Sequence, residues 1–437
     1  MTSNIIGTLI RRFATLPLGL ITILVLARTL NPDGLGQYNL AIFLPQLIST
    51  FLNFGIGPAN IFYMGRDASQ LPQAYWATIL IWGVLSAVGL LIAIPLIVFF
   101  SDLLFPDVPA LYLWLSLVFY PILLLQIFWL SLLQGTQNFR EFNIISVITP
   151  LISLILMFIA VVVFKLDVVG ALATYIFGQA ISVGMAGYVI WRKIAGQPRG
   201  DIRAYIFDVF RYGWKANSSN IVAFLSYRID IYLINLLLNP VAVGLYFAAV
   251  RFVELLWLPA SAVTIVLGPR IAQLYQDEIS RQRLTPLIAR ATFAITFLLA
   301  LAMIFIGFPI FRIMGSAYSN SYSIFLILMP GAVMMVLSKV LSSDLASRGH
   351  LKLNFYTAVI TLTLEVSLIA ILAYRYKLTG VAIASSLAYG FQAFISLYFY
   401  TRVTGLRWWQ VILPNQTDLQ LLRQVYKYVL TRARTLF

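Results

Sequence analysis

Twelve stretches of about twenty or more mostly apolar residues follow one another along this chain, and that recurrence leaves few folds open. They lie near 5–27, 40–63, 76–100, 110–133, 145–164, 169–191, 216–238, 243–267, 288–310, 323–346, 354–374 and 380–401. A helix rises 1.5 Å per residue, so about 20 apolar residues cross a bilayer core of ~30 Å. Short turn-like segments such as Asn31-Pro32-Asp33-Gly34 and Phe105-Pro106-Asp107 separate the runs. Composition agrees. Only 10% of the residues are charged and 61% are hydrophobic, against about 25% charged in a soluble domain, so polar residues are too few to cover a surface in water. The chain reads as an all-α integral membrane protein with about twelve transmembrane helices. The run from Ile5 to Ala27 is too long for a signal-peptide core and carries Arg11 and Arg12, so it reads as the first spanning helix.

Charge gives the expected orientation. With the N-terminus placed inside, and Arg11, Arg12 and Arg290 counted with the inner segments they adjoin, 22 of the 30 Lys and Arg fall on inner segments, five on outer ones and three deeper within spans. Lys and Arg accumulate on cytoplasmic loops, so both termini are predicted to be cytoplasmic. The net charge of +15 is then explained by cationic loops facing anionic lipid. There is no polar domain to present it to nucleic acid. Past Pro414, residues Leu419, Leu422, Val425, Tyr426 and Val429 follow helical spacing, with Arg423, Lys427, Arg432 and Arg434 on the other faces. Together with Trp408 and Trp409, this predicts an amphipathic tail over 402–437 on the inner leaflet.

Several kinds of chemistry are excluded or disfavoured. There is no cysteine, so disulfides, thiolate metal sites and thiol catalysis are absent. The single histidine, His350, rules out a multi-histidine metal site and reads as solvated in an inner turn. No GxxxxGK[ST] phosphate loop occurs. No cofactor or metal is expected, and the chain reads as a non-enzyme.

The sequence also repeats itself. Leu30, Asn31, Pro32, Gly36, Tyr38 and Ala41 recur as Leu238, Asn239, Pro240, Gly244, Tyr246 and Ala249, at an offset of 208 residues. Six helices separate the copies. Six is even, so the halves share one orientation, as in a parallel repeat about an axis along the membrane normal. The expected division is a six-helix lobe over 1–191, a linker loop over 192–215, a second six-helix lobe over 216–401 and the tail. Two such lobes around a central cavity form a transporter architecture, with the substrate site near the midplane. At the same offset Ser219 and Asn220 stand where the first helix has Arg11 and Arg12, so the halves differ in charge.

The opening helix with its embedded arginines, the turn LARTLNPDGLGQYNLA and the following NFGIGPANIFYMGR resemble the polysaccharide (O-antigen) flippases of the multidrug/oligosaccharidyl-lipid/polysaccharide exporter superfamily. Arg28, Pro32, Gly36, Tyr38, Gly55, Gly57, Ala59 and Arg66 occupy the positions of the family pattern, and Gln134-Gly135 resembles its small-residue turn. The resemblance implies a bacterial cytoplasmic-membrane protein. It implies movement of an undecaprenyl-diphosphate-linked oligosaccharide from the inner to the outer leaflet by alternating access. The implied partners are that lipid-linked oligosaccharide, membrane lipids, a coupling H+ or Na+ and the polysaccharide assembly machinery. A cation-coupled exporter of the same superfamily is the alternative, although it favours acidic residues in the first lobe and this sequence has none mid-membrane there. A membrane glycosyltransferase or polymerase fits less well, because the outer loops are short.

An ionisable residue near the bilayer centre costs at least ~2.5 kcal/mol, so each one needs a reason. Arg11, Arg12, Arg228, Arg251 and Lys339 are the candidates to meet a lipid diphosphate, since arginine forks match phosphate oxygens. Asp230, Glu254 and Glu365 are the candidates for ion coupling. Structural readings stand beside these. Arg251 and Glu254 are three apart and able to pair, and Arg11 and Arg12 are near enough to the inner surface to snorkel. Asp344, near a helix end, reads as solvated.

Overall fold

The structure is a computed structural model that describes residues 2–413, with the side chains of residues 2–10, 12, 13, 215, 216, 266 and 269 left aside. The amphipathic helix expected beyond Pro414 lies outside the described residues. Fourteen α-helices make up almost all of the described chain: α1 (Thr2–Leu52), α2 (Ile56–Arg66), α3 (Leu71–Leu104), α4 (Ala110–Leu117), α5 (Phe119–Gly135), α6 (Phe139–Met157), α7 (Asp167–Ile194), α8 (Ile202–Leu237), α9 (Pro240–Val253), α10 (Leu258–Gln273), α11 (Glu278–Met314), α12 (Ser319–Ser347), α13 (Leu351–Thr404) and α14 (Trp408–Ile412). The described residues contain no strand.

Ten helical stretches are long and apolar enough to cross a membrane. Two of them break once. In α1 the backbone leaves helical geometry at Asn31, with φ 57° and ψ 174°, and in α13 it does so at Lys377, with φ 50° and ψ −134°. Each of these two helices therefore holds two spans, which makes twelve crossings. The break at Asn31 follows from its neighbour. Proline pushes the preceding residue out of the α region, and Pro32 suits the first turn of the next segment. The same pair in the second half, Asn239-Pro240, separates α8 from α9, and the Asn239 side-chain oxygen accepts the Ala242 N–H at 2.9 Å as an N-cap does.

The chain divides into two compact units. The first comprises Met1–Arg251, Phe308–Ile324 and Ile369–Val381, and the second comprises Phe252–Gly307, Phe325–Leu368 and Ala382–Phe437. Within the first unit, helices approach where one offers only a glycine. The Tyr120 ring occupies the space a side chain at Gly89 would fill, and the Trp129 ring does the same at Gly187. Tyr120 also donates to the Leu85 carbonyl at 2.8 Å. Within the second unit, Gly331 lies against the Ser386 backbone, and its N–H donates to Ser386 Oγ at 3.1 Å. The hydroxyls of Ser338 and Ser396 meet at 2.7 Å. Small residues and short polar bridges of this kind join helices in lipid, where apolar burial gives no preference for helix over lipid tail. The opposite faces are apolar and exposed, as along α3 at Leu80, Val84, Leu91, Val98, Phe99 and Leu103.

The connection expected as a loop over 192–215 is helical from Ile202, and α8 runs unbroken from there into the seventh span. Tyr205, Val209 and Gly213 are buried at helical spacing. Their face packs on α2. Tyr205 donates to Asn60 Oδ1 at 3.0 Å, the Tyr212 ring stacks on Phe62 at 4.3 Å, and the Gly213 and Gly55 backbones touch directly.

Candidate functional site: charges within the membrane spans

The first unit holds Arg228, Asp230 and Arg251. Asp230 lies on α8, roughly 10 Å from the helix end at 1.5 Å per residue. It is buried, with 3% of its surface exposed. The turn at Asn239-Pro240 folds α9 back against α8 and brings Tyr246 opposite. The Tyr246 hydroxyl, itself buried, donates to Asp230 Oδ2 at 2.8 Å. Oδ1 accepts the Ile231 N–H at 2.7 Å.

Two arginines belong to the same neighbourhood. Arg251 ends the first unit at the last turn of α9, and its guanidinium stands 4.6 Å above the Phe247 ring. Its charge reaches the phenols of Tyr38 on α1 and Tyr175 on α7, and the charge of Arg228 also reaches Tyr175. Tyr38 and Tyr175 meet edge to face at 6.4 Å, and Tyr175 meets Phe119 at 5.2 Å. Phe43 stacks on Tyr232 at 5.5 Å and on Phe224 at 5.9 Å. Arg228 and Arg251 thus both lie near Tyr175, and Asp230, two residues from Arg228 on α8, meets Tyr246.

The other expected residues stand elsewhere. Arg11, on α1, is half-buried, with its guanidinium 5.1 Å from the Phe142 ring. The Arg12 side chain lies outside the described residues. In the second unit, Lys339 holds its ammonium 4.8 Å over the Trp257 ring, an arrangement that stabilises a cation in apolar surroundings. Glu254 opens the short 3-10 turn Glu254–Trp257, and Glu365 is buried on α13.

Asp344 corrects the sequence reading. It is not solvated: 0% of it is exposed. It accepts from the Thr285 hydroxyl and from Arg348 Nε. Arg348 also pairs with Glu278 at 2.6 Å, and Arg281 with the same glutamate at 3.4 Å. Burial pulls the Arg348 guanidinium down, but the hydrogen bonds it donates to Asp344 and Glu278 outweigh it and the net shift is upward. The network ties the starts of α11 and the end of α12 into one charged cluster. Spacing signals only the local pairs Asp344–Arg348 and Glu278–Arg281; their joining needs the fold, because the two pairs come from segments more than sixty residues apart.

Tyr246 and Tyr175 were not singled out from the sequence as partners of the charges. Tyr246 carried a signal, since it is the repeat counterpart of Tyr38. Among the described residues, no group of three or more His, Cys, Asp or Glu is placed to hold a metal ion.

No curated protein sequence matches this chain. A family model described as polysaccharide biosynthesis protein matches residues 1–275. The chain belongs to the polysaccharide biosynthesis protein family. Several solved structures share the fold of this family member. A lipid II flippase MurJ in an inward closed conformation superposes with a TM-score of 0.70 at 17% identity, over 91% of this chain and 87% of that one. A multidrug resistance MATE family transporter of the MOP superfamily, in an inward-facing conformation, gives 0.69 at 14% identity, over 90% and 94%. A MOP superfamily transporter from Pyrococcus furiosus gives 0.60 at 15% identity, over 92% and 94%. At these identities the likeness is one of fold: an all-α, multi-pass membrane protein built as two repeated helical bundles.

Proposed function

We propose that this polysaccharide biosynthesis family member is a flippase. It carries an undecaprenyl-diphosphate-linked oligosaccharide from the inner to the outer leaflet of a bacterial cytoplasmic membrane by alternating access. The observation that supports the reading is that Arg228 and Arg251 lie near Tyr175, and Asp230 against Tyr246, inside the spans. A diphosphate crossing a low-dielectric region needs fixed cations, and guanidinium forks meet its oxygens two at a time. The tyrosines add hydroxyl donors and flat faces of the kind that stack on sugar rings.

In this reading Arg228 and Arg251 hold the diphosphate, with Arg11, Arg12 and Lys339 along the rest of its path. Asp230, buried beside Tyr246, is the first candidate to bind a coupling H+ or Na+, with Glu254 and Glu365 in the second unit. The lobes are 1–191 and 216–401, and both termini face the cytoplasm, in keeping with the excess of Lys and Arg on that side. The family's place in polysaccharide biosynthesis and the shared fold with a lipid II flippase support a lipid-linked cargo over a soluble drug.

Leaflet-specific labelling of the lipid-linked oligosaccharide, in cells with and without the protein, tests the reading. Loss of outer-leaflet label is expected on deletion, and normal labelling sinks it. Arg228→Ala is expected to abolish export while the protein still inserts, and export that persists removes Arg228 from the cargo path.

A further inference from the structure

The duplicated Asn-Pro turns do more than reverse the chain. Gly36, one turn beyond Pro32, lies against the backbone of the other copy. A side chain built at Gly36 would overlap the Pro240 carbonyl and stand 3.1 Å from the Gly244 nitrogen. A side chain at Gly244 would overlap the Pro32 carbonyl and stand 3.1 Å from the Gly36 nitrogen. Pro32 and Pro240, like Gly36 and Gly244, are equivalent positions of the repeat. Each member of the pair thus touches the counterpart of what touches it. Such reciprocity is the mark of a two-fold contact, here within one chain. The approach brings a glycine Cα–H to a carbonyl oxygen on each side, a weak contact that only hydrogen in place of a side chain permits.

Two further contacts lie at the same end of the helices, the end opposite the chain's start. Arg28 closes the first span, and its Nη1 donates to the Ile313 carbonyl at the end of α11 at 3.0 Å. Asn235, near the end of α8, donates to the Pro106 carbonyl at 3.3 Å. Both join the first half of the sequence to the second. The make-up of the first unit fits this. Beyond Arg251, the second half contributes to it only Phe308–Ile324 and Ile369–Val381, which are the segments around the far-side turns and the Lys377 break.

We propose that the Gly36–Gly244 clamp, flanked by Arg28–Ile313 and Asn235–Pro106, is the far-side gate of the transport cycle, closed in this structure, and that its parting opens the path for release. The two glycines are its hinge contact, and their lack of side chains lets it shut. The assignment rests on the transporter reading, but its test does not use transport.

The native chain contains no cysteine, so spin labels attach only at introduced ones. Asp33→Cys and Val241→Cys place them at exposed positions beside the clamp. In the otherwise native chain the distance between labels is expected to be short. Gly36→Ala and Gly244→Ala are each expected to shift it to longer values, by the same amount, because the contacts they break are equivalent. Gly83→Ala, which meets nothing within 4 Å, is expected to leave it unchanged. Unchanged distances in a folded Gly36→Ala protein overturn the gate, as does a shift with only one of the two glycines. If neither glycine variant accumulates, Arg28→Ala decides. It adds no clash, so a new long-distance population supports the gate and an unaltered distribution overturns it. Leaflet labelling of the unmodified chain tests the flippase reading separately, so either result stands without the other.

Discussion

The Asp344 cluster allows a stability prediction from geometry alone. Asp344 is fully buried and Arg348 exposes only 6% of its side chain, whereas Glu278 exposes 46%. Replacing Asp344 by Ala leaves a buried guanidinium with one half-exposed partner. Removing one member of a buried pair typically costs about 3–5 kcal/mol. Because Glu278 keeps its bond to Arg348, the low end applies, near 3 kcal/mol. Asp344→Asn keeps the shape and a partner for Thr285 but loses the charge-assisted bond, a loss of about 1.5–3 kcal/mol. The assay is thermal or denaturant unfolding of the purified protein in detergent. The decisive comparison is the double variant Asp344→Leu/Arg348→Leu. With both charges gone, no buried ion is stranded, so the double variant is expected to be more stable than Asp344→Leu alone. Two results refute the reasoning: Asp344→Ala within about 0.5 kcal/mol of the native protein, the range of ordinary surface changes, or a double variant that costs the full sum of the singles.

Three more predictions rest on other contacts. Tyr246→Phe removes the hydroxyl that donates to Asp230 and is expected to cost about 1–3 kcal/mol in unfolding and to lower export without abolishing it; unchanged export argues against Asp230 as the coupling acid. Gly187→Val forces the Trp129 ring from its place and is expected to destabilise the first unit by about 1–3 kcal/mol, read as a lower unfolding midpoint. Asp67, between α2 and α3, accepts from the Ser69 hydroxyl and N–H and from Gln70, which hold its carboxyl below the ordinary 3.8. Its contribution is therefore present above 3.8 and is lost as pH falls through the lowered folded value, and Ser69→Ala is expected to move the carboxyl's NMR titration midpoint back up.

The spans were legible because lipid demands length, and length is written directly in the apolar runs. The turn at Asn31-Pro32 was legible because proline constrains its neighbour whatever surrounds it. The turn at Lys377 was not marked by any such residue, yet a gap between two runs placed it. The helical linker was hidden by its composition. Arg203, Phe207, Arg211 and Trp214 mix charge with exposed aromatics, and the buried stripe of Tyr205, Val209 and Gly213 only makes sense once α2 is there to receive it. Asp344 was misread because depth along a helix says nothing about what packs beside its end. In the candidate site, the charges themselves were found by their cost in lipid, whereas their grouping needed the fold. Arg228 and Asp230 sit about 200° apart on one helix, and no spacing rule links either of them to Tyr175, more than fifty residues earlier.

The repeat bears on mechanism through where it holds and where it fails. At the far-side turns it holds: Pro32 and Pro240, Gly36 and Gly244 make the same contact twice. Deeper in the spans it fails. At the offset of 208, Leu20, Thr22 and Phe43 stand where the second half has Arg228, Asp230 and Arg251. Thr22 turns its hydroxyl back to the Leu18 carbonyl at 2.8 Å, and Phe43 stacks on Phe224 and Tyr232, so neither position has a use for charge. Tyr38 and Tyr246 are equivalent, but only Tyr246 has a carboxylate to donate to. A gate must open and close as one body, and paired identical contacts part together at the same cost. A site for a cargo with a charged head and a sugar tail needs two unlike walls. Symmetry kept at the proposed gate and lost at the charges is what the proposed carrier of an amphiphilic, anionic molecule requires. Combining Thr22→Asp with Asp230→Thr therefore moves the acid to the other copy of the hairpin, where Tyr38 is the counterpart of Tyr246. Export by that double variant at the native rate would show that the asymmetry is incidental; the expected result is loss of export with the far-side label distance unchanged.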